Sequence, residues 1–249
     1  MSEKMNPCKR KCHDCGNVAD HEDNITPWVC CKKCGSQDTR LLSSPAPAPA
    51  QVFSTIYQSG LWSPNPYDSG PGSYPGGEGK EYCQIMPAVL KAMRVRRVLD
   101  IGCGDGRILA NVAAQCPGIE FTGVDCVDEV IKSCAVTWPF VRWEVNDLTD
   151  LTTLPTWSGI YHRDADIVLM KDVLHHWPTN EIHRILGFFV EKCIPVIATQ
   201  DCQGAQDDQD CELGGFRALS AKTEPLHAYG PVLLAEYLHK SILLFRFDG

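Results

Sequence analysis

The sequence predicts an α/β chain: an open, doubly wound, mostly parallel sheet preceded by a small cysteine-rich metal module. Three observations carry this. From about residue 83 onward, short apolar strand-like runs alternate with helical segments. A glycine-rich turn, VLDIGCGDGRI over 98–108, follows the first of those runs directly. Two C-x-x-C-G knuckles, at 12–16 and 31–35, stand in the first 40 residues.

Each element is readable in turn. RRVLDIG (96–102) is a short apolar strand. A helix from Gly106 to about Gln115 carries Ile108, Leu109, Val112 and Ala113 on one side. IEFTGVD (119–125) is a second strand, followed by a helix through about Thr137; FVRWEV (140–145) is a third strand. ADIVLM (165–170) is a continuous apolar run of the kind a parallel sheet buries on both faces. Asn180 to Glu191 is amphipathic, with Ile182, Ile185, Leu186, Phe189 and Val190 on one stripe, and Pro178 suits its start. IPVIAT (194–199) and SILLFRF (241–247) are later strands.

Four segments follow. Residues 1–40 are the cysteine module, and 41–52, LLSSPAPAPAQV, a stiff Pro/Ala spacer. Residues 53–82 are rich in glycine and aromatics and read as a lid or cover over a ligand mouth; 83–249 are the α/β domain.

Within 1–40 the pattern is C-x2-C-x15-C-x2-C, through Cys12, Cys15, Cys31 and Cys34. That spacing predicts a four-thiolate zinc ribbon, which needs its metal to fold. Cys8, Cys30, His13 and His21 are rival ligands. The chain starts without an apolar leader and its apolar runs are short of a membrane span, so a cytoplasmic location without membrane partners is expected. Its net charge of −8 disfavours a sequence-blind grip on nucleic acid. Residues 1–40 hold seven Lys or Arg against six Asp or Glu, so the ribbon is barely basic; it suits protein docking slightly better than RNA.

Ligands of open α/β sheets bind beyond the C-terminal strand ends. Gly102, Gly104 and Gly106 stand there, spaced G-x-G-x-G, whereas a dinucleotide fingerprint would need glycine at position 107, which is Arg107. Asp100 and Asp105 flank the turn and would repel a pyrophosphate; an ammonium and a ribose would tolerate them. Asp125 ends the second strand, the place for a carboxylate on a ribose diol.

D-I-G-C-G-D-G followed by an acid at the next strand end resembles the class I S-adenosylmethionine-dependent methyltransferases. The resemblance covers roughly residues 83–200 and implies a Rossmann-like methyltransferase sheet. It implies that the turn passes the methionine end of S-adenosylmethionine and that Asp125 takes the ribose hydroxyls. Asp147 would lie beside the adenine, and Asp100, Gly102, Gly104, Gly106 and Lys171 would complete the cofactor site. F-S-x-I-Y (53–57), Trp62, SGPGS (69–73), CGD (103–105), DVLHHW (172–177) and GGFR (214–217) further resemble a subgroup found in bacteria and large viruses, whose acceptor is not firmly known.

After the fourth strand of the domain come Asp172, His175 and His176. A histidine there can take the acceptor's proton, with Asp172 as its orienter; packing under the cofactor is the competing role. Arg217 could clamp an anionic acceptor or hold the cover by an ion pair. DDQD (207–210) reads as a solvated loop rather than a magnesium site. The expected reaction is methyl transfer to a hydroxyl of a small molecule or sugar. The alternatives are an RNA or tRNA methyltransferase docking through the ribbon, and a non-catalytic cofactor-binding module.

Overall fold

The computed structural model describes residues 8–12, 18–21, 39–42, 47–147 and 165–246. The chain divides into two compact units, Met1–Ala48 and Pro49–Gly249. In the first, β1 (Cys8–Cys12), β2 (Val18–His21) and β3 (Thr39–Leu42) form an antiparallel sheet ordered β2-β1-β3. Cys12 ends β1; Cys15, Cys31 and Cys34 lie outside the described residues, and with them the predicted zinc site.

The second unit contains α1 (Pro49–Ser59), α2 (Lys80–Ala92), β4 (Arg97–Ile101), α3 (Arg107–Ala114), β5 (Glu120–Asp125), α4 (Asp128–Thr137) and β6 (Arg142–Val145). After these come β7 (Ile167–Lys171), α5 (Thr179–Glu191), β8 (Val196–Asp201), β9 (Val232–Tyr237) and β10 (Lys240–Phe245). The sheet order is β6-β5-β4-β7-β8-β10-β9. The pairings from β6 through β8 are parallel, while β10 runs antiparallel to both β8 and β9.

Strand residues alternate strictly between two cores, as the period of 2 demands. Leu99, Val168, Val196 and Leu243 pack with Ile182, Ile185 and Phe189 of α5. Val98, Ile167, Ile197 and Ile242 pack with Met86 and Leu90 of α2 and Leu109 of α3. Among the described residues, no helix is long and apolar enough to cross a membrane.

Three elements depart from the sequence reading. The segment expected as spacer ends in helix: α1 starts at Pro49, where proline's fixed φ and missing N–H suit a first turn, and buries Ile56 and Tyr57. The helix α2 crosses the expected boundary at 83 with Pro87 inside it. Pro87 cannot bond the Cys83 carbonyl, and Gln115 Nε2 donates to that oxygen instead at 3.1 Å. The strand β9 was not anticipated; half-exposed and at the sheet edge, it carries a weak pattern.

Candidate functional site

The turn after β4 has to be glycine. Gly102, Gly104 and Gly106 have φ of 66°, 55° and 73°, the left-handed region that a Cβ penalises. Space enforces the same choice: a Cβ on Gly102 would lie 2.6 Å from Val173 Cγ2, and one on Gly104 would collide with Ser69 Oγ. The alternating G-x-G-x-G spacing is therefore the signature of three left-handed residues packed under neighbouring segments.

Asp125, buried at the end of β5, fixes this turn. The Gly104 N–H donates to Asp125 Oδ2 at 3.0 Å and the Val127 N–H to Oδ1 at 3.1 Å. Burial pushes the Asp125 carboxyl up, and these backbone donors oppose it. The Cys126 backbone and thiol also hydrogen-bond this carboxylate. Gly102, Gly104, Asp125, Asn146, Asp147 and Lys171 all line one cavity of about 390 Å³. Asn146 Oδ1 is buried there without a hydrogen-bond partner. Asp100 is 6% exposed and does not line the cavity; burial pushes its carboxyl up to about 7, against the pull of Lys171. Gly106 likewise shapes the turn from outside the cavity.

Residues 68–74 are pinned onto the turn. The Ser69 N–H donates to Asp105 Oδ2 and the Asp105 N–H to Ser69 Oγ, both at 2.9 Å, with Tyr57 Oη 3.0 Å from the same hydroxyl. Arg107 pairs with Asp105 (3.1 Å) and Asp68 (3.4 Å) and stacks on Tyr74. The Lys171 ammonium donates to the Gly72 carbonyl at 2.8 Å. The sequence singled out SGPGS as a motif without assigning this reciprocal clip.

The other end of the cavity is an ion cluster beside two histidines. Asp172 sits in the left-handed region, φ 57°, a conformation aspartate tolerates, and its N–H donates to the Thr199 carbonyl at 2.7 Å. Its carboxylate takes Lys171 at 2.5 Å and Lys240 at 3.0 Å; Lys240 also reaches Asp201 at 2.6 Å. Burial alone would raise the Asp172 carboxyl, but Lys171 and Lys240 outweigh it and hold it well below the usual range. Asp172, His175 and Asp201 have ligand atoms within 4.8 Å of one another, as a metal site would. The cation the two carboxylates share is the Lys240 ammonium, so the donor set does not fit a metal ion.

The two histidines differ in tautomer, assigned from their partners. His175 is 3% exposed; its Nδ1 accepts the Asp201 N–H at 3.5 Å, which leaves the proton on Nε2. Burial, with His176 beside it, pushes it down to about 3. His176 Nδ1 lies 2.6 Å from the Gly215 carbonyl and must donate to it, so Nε2 keeps a lone pair. Burial also lowers His176, opposed by its Gly215 bond and by Asp172 and Asp201. Both histidines line the cavity.

Arg217 does not reach this cavity. It is 1% exposed and donates to Thr179 Oγ1 (2.8 Å), the Gln209 carbonyl (2.5 Å) and the Trp177 carbonyl (3.1 Å) while pairing with Asp210. It ties the 207–210 loop to the start of α5; the substrate-clamp expectation is corrected. Sequence reasoning missed Lys240 and Asp201, and gave Gly215 of the GGFR run no role of its own. Nothing local marks them, because only the sheet order brings β8, β10 and the 214–217 loop to the end of β7.

A family model described as "Methyltransferase domain" matches residues 99–193. Trans-aconitate 2-methyltransferase of Mycolicibacterium gilvum is 26% identical over 120 residues, which are 48% of this chain and 41% of that protein. The chain therefore spans less than half the length of this curated relative. The solved methyltransferase domain of bacterial CtHen1-CN superposes with a TM-score of 0.51 at 17% identity, covering 68% of this chain and 98% of the other. Human N-acetylserotonin methyltransferase, solved with S-adenosylmethionine, gives 0.51 at 13% identity, covering 79% of this chain and 59% of the other. These solved structures share the fold of the second unit, and residues 99–193 of it match the methyltransferase-domain model.

Proposed function

We propose that this methyltransferase domain moves a methyl group onto the hydroxyl of a small molecule held in the cavity. The observation that carries the reading is His176, whose Nδ1–H is committed to Gly215, leaving Nε2 as its base, and which lines the cavity that Asp125 also lines. The residues present fit the cofactor: a glycine turn that admits no Cβ, a buried carboxylate on the cavity wall, and the unpartnered Asn146 Oδ1. In this reading Asp125 takes the ribose hydroxyls, Asn146 and Asp147 border the adenine, and Gly102, Gly104 and Lys171 border the methionine end. When bound, S-adenosylmethionine supplies an electrophilic methyl on a sulfonium, which leaves as a neutral thioether. The protein's own work is alignment and proton removal. His176 Nε2 accepts the hydroxyl proton as the new O–C bond forms. His175, neutral and packed against it, and the Gly215 carbonyl hold its ring.

Replacing His176 by Ala is expected to lower kcat by about 10²- to 10⁴-fold and to leave cofactor affinity, read by calorimetry, unchanged. Asp172, Asp201, Lys240 and His175 surround this ring, and its net shift is downward. The base is therefore already unprotonated at neutral pH. The acid limb of the wild-type kcat profile should lie below about pH 6.5 and vanish in the variant. A limb above pH 7 would assign the base elsewhere.

The four-thiolate spacing of Cys12, Cys15, Cys31 and Cys34 supports a structural zinc ion in the first unit. Cys12→Ser combined with Cys34→Ser should abolish one equivalent of zinc by elemental analysis; unchanged metal content would exclude this ligand set.

A further inference from the structure

The acceptor end of the cavity is walled by rings. The Trp62 ring lies 5.1 Å from His176, tilted by 37°, and Phe53 lies 6.0 Å from Trp62. Phe216 is 5.1 Å from His175 and 6.2 Å from His176. Leu61 and Phe216 line the cavity yet remain 70% and 57% exposed, large apolar side chains left wet at its mouth. The charges here are already matched: Lys171 and Lys240 hold Asp172 and Asp201, His239 lies 3.0 Å from Asp201, and Arg217 is spent on the 207–210 loop.

Resting on the hydroxyl-transfer reading, we propose that the acceptor is an uncharged planar aromatic hydroxyl compound, held between Trp62 and Phe216 with its oxygen at His176 Nε2. Trp62 and Phe216 each pack on a histidine of the cavity wall, and aromatic walls favour a flat apolar ligand; a carboxylate or phosphate would find no cation unmatched among those named. Proton chemistry points the same way. Burial makes His176 a weaker base than a free imidazole. A phenol ionises near about 10, as tyrosine does, against about 15.7 for water, to which alkyl hydroxyls are close. A phenol thus eases the proton transfer by roughly six powers of ten. In the step, the phenol O–H proton goes to His176, the O–CH3 bond forms, and the S–CH3 bond breaks with its electron pair kept by sulfur.

The test uses the full chain and four probes: 2-naphthol, its saturated decalin alcohol, 2-naphthylamine and 2-naphthoate. Binding is read by calorimetry with S-adenosylhomocysteine present, and methyl transfer by product mass. The naphthol is expected to bind at least tenfold more tightly than the saturated alcohol and to be the probe methylated. Phe216→Ala and, separately, Trp62→Leu should each weaken naphthol about tenfold while leaving S-adenosylhomocysteine affinity intact. Equal binding of the saturated alcohol, or transfer to it in preference, overturns the aromatic slot but upholds hydroxyl transfer. Tight naphthol binding with transfer only to the amine or the carboxylate overturns the hydroxyl reading and with it this acceptor. Retained naphthol affinity in both variants overturns the slot.

Discussion

Asp125→Ala is expected to cost S-adenosylmethionine and S-adenosylhomocysteine at least 100-fold in affinity, measured by calorimetric titration. In the proposed pose two hydroxyls donate to a buried carboxylate, and charge-assisted hydrogen bonds contribute about 1.5–3 kcal/mol each. Two of them correspond to a factor of roughly 10² to 10⁴. The substitution also strips the Gly104 and Val127 N–H groups of their acceptors, which loosens the turn itself. Asp125→Asn retains one acceptor oxygen and should lose less. Equal loss for both products of mutation would assign the effect to charge; unchanged affinity in the Ala variant would remove Asp125 from the cofactor site.

Lys240→Met is expected to destabilise the second unit by about 3–5 kcal/mol, the usual cost of leaving a buried charge without its partner. That lowers the melting temperature by on the order of 10 °C. Lys240 is buried and joins Asp172 to Asp201; without it Lys171 remains for Asp172 while Asp201 keeps only His239. The Asp172 carboxyl is held below its usual range, so this contribution is complete above about pH 4 and fades as acid titrates the carboxylate. The variant's deficit should shrink there. Adding Asp201→Asn should recover part of it at neutral pH. A melting temperature equal to wild type would mean that Lys240 does not balance these acids.

How far the sequence could be read follows from the range of each signal. The glycine turn and Asp125 are legible because their constraints act within a few residues: three left-handed φ angles in five positions, and a strand that ends on an acid. The buried strands announce themselves as apolar runs for the same reason. α1 is hidden because Pro and Ala alternate equally well in an extended spacer and in a first helical turn. His175 and His176 are indistinguishable as neighbours in a list; what separates them is one carbonyl, that of Gly215, 39 residues away. Arg217 in its GGFR run invites a ligand-clamp reading, and only the loop folded around it shows that its two terminal nitrogens donate within the protein.

Lys240 also links the site to the order in which the chain is made. Its partners Asp172 and Asp201 precede it by 68 and 39 residues, and the strand it opens slots between β8 and β9. Domains emerge from the ribosome N-terminal part first. While β4 to β8 are out and β10 is not, the nascent sheet carries a bare edge along β8, and Asp201 lacks both Lys240 and His239. Docking of β10 mends both defects at once. A chain stalled before His239 is thus incomplete twice over, with an unpaired edge on β8 and an Asp201 carboxylate without its cations.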